Sequence, residues 1–425
     1  MKVSTEPIEN RQVLLNVEMD ADEMEKALEE AYRHLVGRVF VPGFRKGKTP
    51  RAVLENHVGR DALLQEALER LIPQAYEEAL VKQEIDAIAQ PEIELVQSEP
   101  LVFKAIVPVR PVVKLGDYRE LRLESDPVEV TDEDKEVAID QLRHQHAVWV
   151  PVERPVCFND MVTIDIEGKS QGESFLIRKD LTYRVTRDSP LPLPGFAEKL
   201  EGIERNVKKE FVLSFPNDYE TKELAGREFA FEVVVGEIKE EQLPEVDDEF
   251  AKSFNFDNLD SLKQQVADDL QARAEERSRL EFEQKVVNAV IDLSELEYPP
   301  VLVDKEIDRL LSEESRGFTE GVSGLENYLA TINKTMEEHR EELRNMATQH
   351  VIQSLVLDKI AEEEAIEVSA SDIDDEIAKM AKGTDEQAEE IRKFFSLPQA
   401  RESVKQFLLP RKAVEQLVQI AKGLV

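Results

Sequence analysis

The sequence predicts a multidomain α+β protein with an α+β N-terminal part, a small β-rich middle and an extended all-helical C-terminal part with arms. Three observations carry that expectation. The chain has 425 residues, enough for several separate cores, because one hydrophobic core seldom organises more than about 250 residues. Short alternating apolar runs crowd between Val150 and Gln242, where a sheet is expected. After "LPEVDDEF" the apolar residues recur at helical spacing almost to the last residue. The expected divisions are 1–112, a linker with one helix over 113–149, a β-rich domain over 150–242, and a helical domain over 243–425.

In order along the chain, "QVLLNVEM" (Gln12 to Met19) is apolar enough for a strand, and Ala21 to Leu35 carries Met24, Leu28, Ala31 and Leu35 along one helical face. Asp61 to Lys82 does the same with Leu64, Leu68, Leu71, Ala75 and Ala79, and "LVFKAIVPV" (Leu101 to Val109) returns as a strand. Thr131 to Trp149 is expected to be helical, with Thr131 as N-cap of the acidic turn "TDED". "MVTIDIEG", "LTYRVT", "EFVLSFP" and "REFAFEVVVGEIKE" follow as strands separated by Gly and Pro. Beyond them, Leu262/Val266/Leu270, Ile352/Val356/Ile360 and Ile373/Ile377/Met380 form helical stripes, broken at "YPP", "GVSG" and "SLP". Most such stripes are bundle core. An array of arms with too little chain to cover every stripe leaves apolar patches open to partners.

Between the first two predicted helices stands "VPGFRKGKTP", Val41 to Pro50. It nearly spells a phosphate-cradling loop, but that loop needs four residues between its glycines, and Gly43 and Gly47 are separated by three. A helix, not a buried strand, is expected before it. The two glycines free the backbone and Pro42 and Pro50 stiffen the ends, so Phe44, Arg45 and Lys46 are expected on a rigid, exposed tip. The charge pattern agrees. The chain carries a net charge of −36, which repels nucleic acid and anionic membranes. Yet Ala31 to Leu54 contains no Asp or Glu, where about five are expected from composition, while Arg33, Arg38, Arg45, Lys46, Lys48 and Arg51 fall inside. A solvated face mixes signs, whereas a one-sign island in an acidic chain is a docking site for something anionic.

Other chemistry is sparse. The single cysteine, Cys157, rules out an internal disulfide and is expected to be a small buried hydrophobe. His144 and His146 diverge on a helix and lack a completed ligand set, so no metal and no cofactor are expected. No apolar run is long enough to span a membrane, and "MKVSTEPIEN" lacks the apolar core of a secretory signal, so a cytoplasmic protein is expected.

"GFRKGKTP", with "YPPVLVDKEIDRLL" and "AIEVSASDIDDEI" in the helical half and the same order of domains between them, resembles the trigger factor family of bacterial ribosome-associated chaperones. The resemblance implies an N-terminal ribosome-docking domain, a middle domain like an FK506-binding-protein prolyl isomerase, and a C-terminal chaperone domain with arms. It implies docking on the large ribosomal subunit beside the tunnel exit, against a ribosomal protein and adjacent ribosomal RNA, through Phe44, Arg45 and Lys46. It further implies nascent and unfolded chains as clients, held without ATP, and leaves room for a homodimer off the ribosome.

For the middle domain the resemblance implies peptidyl-prolyl cis-trans isomerase activity. An apolar pocket that prefers the twisted amide lowers the barrier without covalent chemistry. Phe175, Leu193, Phe196, Tyr219 and Phe231 match the family's pocket segments, with Phe196 at the floor and Tyr219 at the rim. Departures at Ile166, at Leu176, Ile177 and Arg178, and at Pro190, Pro192 and Pro194 imply a reshaped pocket with weakened activity. The competing reading is a free prolyl isomerase whose helical half dimerises it. An RNA-binding factor is disfavoured, because the basic patch is small and no stacking aromatic beyond Phe44 is interleaved with it.

Overall fold

The computed structural model describes the whole chain except residues 171–172, 188, 190–192, 215–227, 382–384 and 425, and except the side chains of 170, 173–175, 385–388 and 390. It divides into two compact units, Met1–Ser125 with Leu280–Val425, and Asp126–Arg279.

The first unit opens with β1 (Lys2–Ile8) and β2 (Gln12–Glu18), followed by α1 (Ala21–Val36), α2 (Arg51–Val58), α3 (Arg60–Lys82), β3 (Glu92–Ser98) and β4 (Leu101–Pro108). The strands form an antiparallel sheet in the order β1-β2-β4-β3. Leu15 and Val17 of β2 and Leu101, Phe103, Ala105 and Val107 of β4 alternate onto one face, as the two-residue period of a half-buried sheet requires. Met24, Leu28 and Ala31 of α1 and Leu63, Ala67, Leu71, Ala75 and Ala79 of α3 cover that face. The stripe of α3 therefore starts one residue before Leu64, and Leu64 and Leu68 flank it half-buried. A short β5 (Val112–Lys114) and a 3-10 turn at Tyr118–Glu120 end this stretch.

The second unit begins with α4 (Asp132–Gln145). Thr131 Oγ1 accepts the Asp134 N–H at 3.2 Å, and the Asp134 carboxylate accepts the Thr131 N–H at 2.9 Å, a reciprocal cap. The helix stops four residues before Trp149, because β6 (Val148–Pro151) pairs with the far end of the sheet. Then come β7 (Met161–Ser170), β8 (Glu173–Arg184), α5 (Phe196–Leu200), β9 (Lys208–Ser214) and β10 (Glu228–Gln242). The long β10 pairs with β6, β7 and β9, and β8 extends β7. Cys157 proves exposed. Its neighbour Val156 takes the core position, and the Cys157 N–H is held by the buried Asp160 at 2.8 Å, which also makes a two-pronged ion pair with Arg154. Next, α6 (Asp248–Ser253) and the start of α7 (Leu259–Asp292) pack with α4 through Ile139, Phe250 and Leu262.

Back in the first unit, β11 (Glu295–Glu297) pairs with β5 across some 180 residues of sequence. It is followed by α8 (Val301–Ser315), α9 (Val322–Thr331), α10 (Met336–Glu363), α11 (Ala370–Met380), α12 (Asp385–Phe394) and α13 (Pro398–Ala421). The end of α7 (Val286, Val287, Val290), the end of α10 (Val356, Leu357, Ile360) and the end of α13 (Ala413, Leu417, Ile420) enclose Tyr118 in one core. Two smaller cores hold α8, α9 and α10 together, and α11 against α13. No helix among the described residues is long and apolar enough to cross a membrane.

Candidate docking loop and aromatic cluster

The basic loop leaves α1 at Val36 and closes on itself. The Gly47 N–H donates to the Val36 carbonyl at 2.9 Å, the Phe44 N–H to Val41 at 3.1 Å and the Lys48 N–H to Arg45 at 2.9 Å. Gly43 (φ 88°) and Gly47 (φ 81°) take left-handed backbone conformations that side chains resist. Val41 plugs the loop into a core with Val36 and Leu54, and the Tyr32 hydroxyl donates to the carbonyl of buried Thr49 at 2.8 Å. Everything from Pro42 to Lys48 is exposed. The loop joins two helices, so the strand-to-helix geometry of a nucleotide cradle does not arise.

The six cations of the island divide. Arg51 is gripped by Glu25 at 2.5 Å, Glu55 at 2.8 Å and Glu29 at 3.7 Å, and the hydrogen bonds from Glu25 and Glu55 push its pKa upward. Arg33 pairs with Glu29 at 3.5 Å. Among the described residues, Arg38, Arg45, Lys46 and Lys48 have no acidic partner within salt-bridge distance. Arg51 is thus a fastener between α1 and α2, and the remaining four face solvent. Phe44 is 38% exposed. Phe40, absent from the predicted site, is 72% exposed, so a second aromatic does stand among the cations. Its signal in the sequence is a Phe two residues after Arg38 inside the stretch that lacks acids.

In the second unit, Leu193, Phe196 and Phe231 meet, all at most 2% exposed. Phe196 contacts Phe231 edge-on at 5.3 Å between ring centres, Tyr183 edge-on at 5.6 Å and Phe211 at 5.6 Å. These are the spacings of attractive aromatic pairs. Ile166 is buried in the same core, and Leu176, Tyr183 and Phe211 pack half-buried on its outer side. Burial raises the Tyr183 pKa. Tyr219 and the side chain of Phe175 lie outside the described residues. The missed Tyr183 and Phe211 sit at alternate positions of "LTYRVT" and "KKEFVLSF", which is the pattern that could have found them.

His144 donates to the Glu241 carboxylate at 2.9 Å and lies 3.4 Å from Asp140, while the His146 ring packs at a tilt against Phe254. No group of three or more metal-ligating side chains occurs among the described residues. In the helical part, Val322, Tyr328, Ile332, Phe394, Leu397 and Phe407 are each more than half exposed. A cleft of about 620 Å³ opens between Leu302, Glu306, Val351, Leu355 and Pro410.

Comparison with known proteins settles the lineage. A family model described as bacterial trigger factor protein matches residues 1–142, and one described as its C-terminus matches 258–419. The trigger factor of Dehalococcoides mccartyi is 37% identical over 99% of this chain and 95% of its own. The chain belongs to the trigger factor family. Trigger factor of Carboxydothermus hydrogenoformans is likewise 37% identical, over the whole of both chains. A solved structure of the trigger factor chaperone, described for promiscuous substrate recognition in folding and assembly, covers 99% of both chains at 24% identity and a TM-score of 0.47. The family is one of chaperones, and the two trigger factor matches leave residues 143–257, which hold β6 to β10, between them.

Proposed function

We propose that this chain is an ATP-independent chaperone of the cytoplasm that docks on the large ribosomal subunit through the loop carrying Phe44, Arg45 and Lys46. One observation carries the reading: four cations that have no acidic partner among the described residues stand on a pinned loop of a chain whose net charge is −36. Phosphate or carboxylate oxygens attract that loop while the acidic remainder is repelled, which fixes one orientation of docking. Residues 1–112 then serve docking, 150–242 the isomerase-like function, and 243–425 client binding on apolar patches such as those of Tyr328, Phe394 and Phe407. Replacing Phe44, Arg45 and Lys46 together by Ala is expected to abolish co-sedimentation with ribosomes at unchanged thermal stability. Full pelleting of that variant sinks the reading.

The middle unit is proposed to retain weak prolyl isomerase activity at the half-exposed rim of the aromatic cluster, Tyr183 and Phe211. The full chain should accelerate cis-trans exchange of a short Phe-Pro peptide, and Phe211→Leu should reduce the acceleration. No acceleration by the folded chain would leave a chaperone without isomerase activity. A free isomerase, the competing reading, requires ribosome binding to be indifferent to the triple substitution.

A further inference from the structure

We infer that Phe40, with Arg38, is a second aromatic-cationic anchor of the docking loop, and that it stacks on an unpaired RNA base of the ribosome. This rests on the docking reading above. Burying a Phe is worth about 1.5–3 kcal/mol, yet Phe40 is left 72% exposed shortly after the end of α1 at Val36, where Val39 and Val41 both turn inward. The chain therefore has room to bury an apolar side chain here and does not bury this one. The Val36–Gly47 hydrogen bond closes residues 37–46 into one loop. Closure ties the stretch carrying Arg38 and Phe40 to the one carrying Phe44 to Lys48, since the four residues from Val36 to Phe40 span at most about 14 Å. The element offered to a partner is then Arg38, Phe40, Phe44, Arg45, Lys46 and Lys48, with two aromatics set among four cations that have no acidic partner among the described residues.

That composition chooses among occupants. An apolar pocket on a protein accepts a Phe without needing dense positive charge around it. An RNA segment supplies both complements at once, with phosphates for the cations and flat base faces for the rings. Within a strongly acidic chain, such a loop can hold RNA only where both kinds of contact are met together.

The test labels the full chain at Cys157, which is exposed and lies in the other unit, and titrates it with vacant ribosomes at several salt concentrations. Phe40→Ala and Phe40→Leu are each expected to weaken binding about tenfold, whereas Phe40→Trp should bind as the parent does, because stacking needs a ring. Arg38→Ala should reduce the slope of log affinity against log salt by about one. Unchanged thermal unfolding of each variant excludes misfolding. If Phe40→Ala stays within about twofold of the parent while the triple variant loses binding, docking stands and this anchor does not exist. Parent-like binding by Phe40→Leu would mean an apolar protein pocket and would overturn the assignment to RNA. Parent-like binding by the triple variant would instead remove the docking reading itself.

Discussion

Two aromatic-bearing regions of this chain use the same residue type in opposite ways. On the basic loop, Phe40 and Phe44 are exposed, and their position is held by left-handed glycines, three short-range backbone hydrogen bonds and the buried Val41. In the β-rich unit, Phe196 and Phe231 lie within the core and hold their surroundings together. A ring that serves a partner can be removed without loss of fold. A ring that is also core cannot, so activity lost on its removal says nothing about catalysis.

The contrast is broken or sharpened most strongly at Phe196. Phe196→Ala should cost about 3–5 kcal/mol, read as a lower denaturation midpoint of the fluorescence of Trp149, the single tryptophan, which lies in the same unit. A cost below about 1 kcal/mol would show that the cluster is not a tightly packed core. Isomerase activity is for that reason better probed at Phe211 than at Phe196.

Tyr118 lies between the extremes, buried but with a polar tip. Its hydroxyl donates to Glu364 at 2.6 Å, and Arg119 reaches the same carboxylate at 2.8 Å. Tyr118→Phe should cost about 1.5 kcal/mol near neutrality. The Tyr118 hydroxyl, then Arg119, holds the Glu364 pKa below the ordinary carboxylate value. The contribution is present above that value and fades as pH falls through the folded pKa, so parent and variant should converge in acid. Burial and the Glu364 hydrogen bond raise the Tyr118 pKa to about 12. That contribution is complete below the ordinary tyrosine pKa and disappears as pH climbs toward 12, which the parent should show in alkaline denaturation and the variant should lack.

A smaller effect is expected at Arg51, whose loss unfastens α2 from α1 at about 1 kcal/mol or less. Because its charge is already neutralised by Glu25 and Glu55, Arg51→Ala should weaken ribosome binding without changing its salt dependence. A reduced salt slope would make it a contact instead. Smallest of all is the triple substitution of Phe44, Arg45 and Lys46, expected to shift stability by no more than about 0.5 kcal/mol. A larger loss in a chemical melt would mean that the loop belongs to the core after all.

Much of this was legible in the sequence, for identifiable reasons. The α1 stripe, the Thr131 cap and the cation island are local patterns with one physical meaning each. β1 and β3 were not legible, since they are edge strands exposed along almost their whole length, with no buried face to impose a sustained alternation. Nor was the β5–β11 pair, which depends on a contact between distant segments. Charge sign was visible, but the division of the island into Arg51, held by acids, and Arg45, held by none among the described residues, depends on the fold. Phe196 and Phe231 could be predicted to meet, and only their burial distinguishes core from open pocket.

The β-rich unit has one more consequence. The chain passes into it at Asp126 and out of it at Arg279, and the Ser278 hydroxyl donates to the Asp126 carbonyl at 3.2 Å. A block whose two ends meet is a cassette: a gene can lose it or exchange it through one short splice. It also sets an order during the chain's own synthesis. Residues 126–279 can fold as soon as they emerge, whereas the first unit stays unfinished until its last 146 residues, Leu280–Val425, have been made.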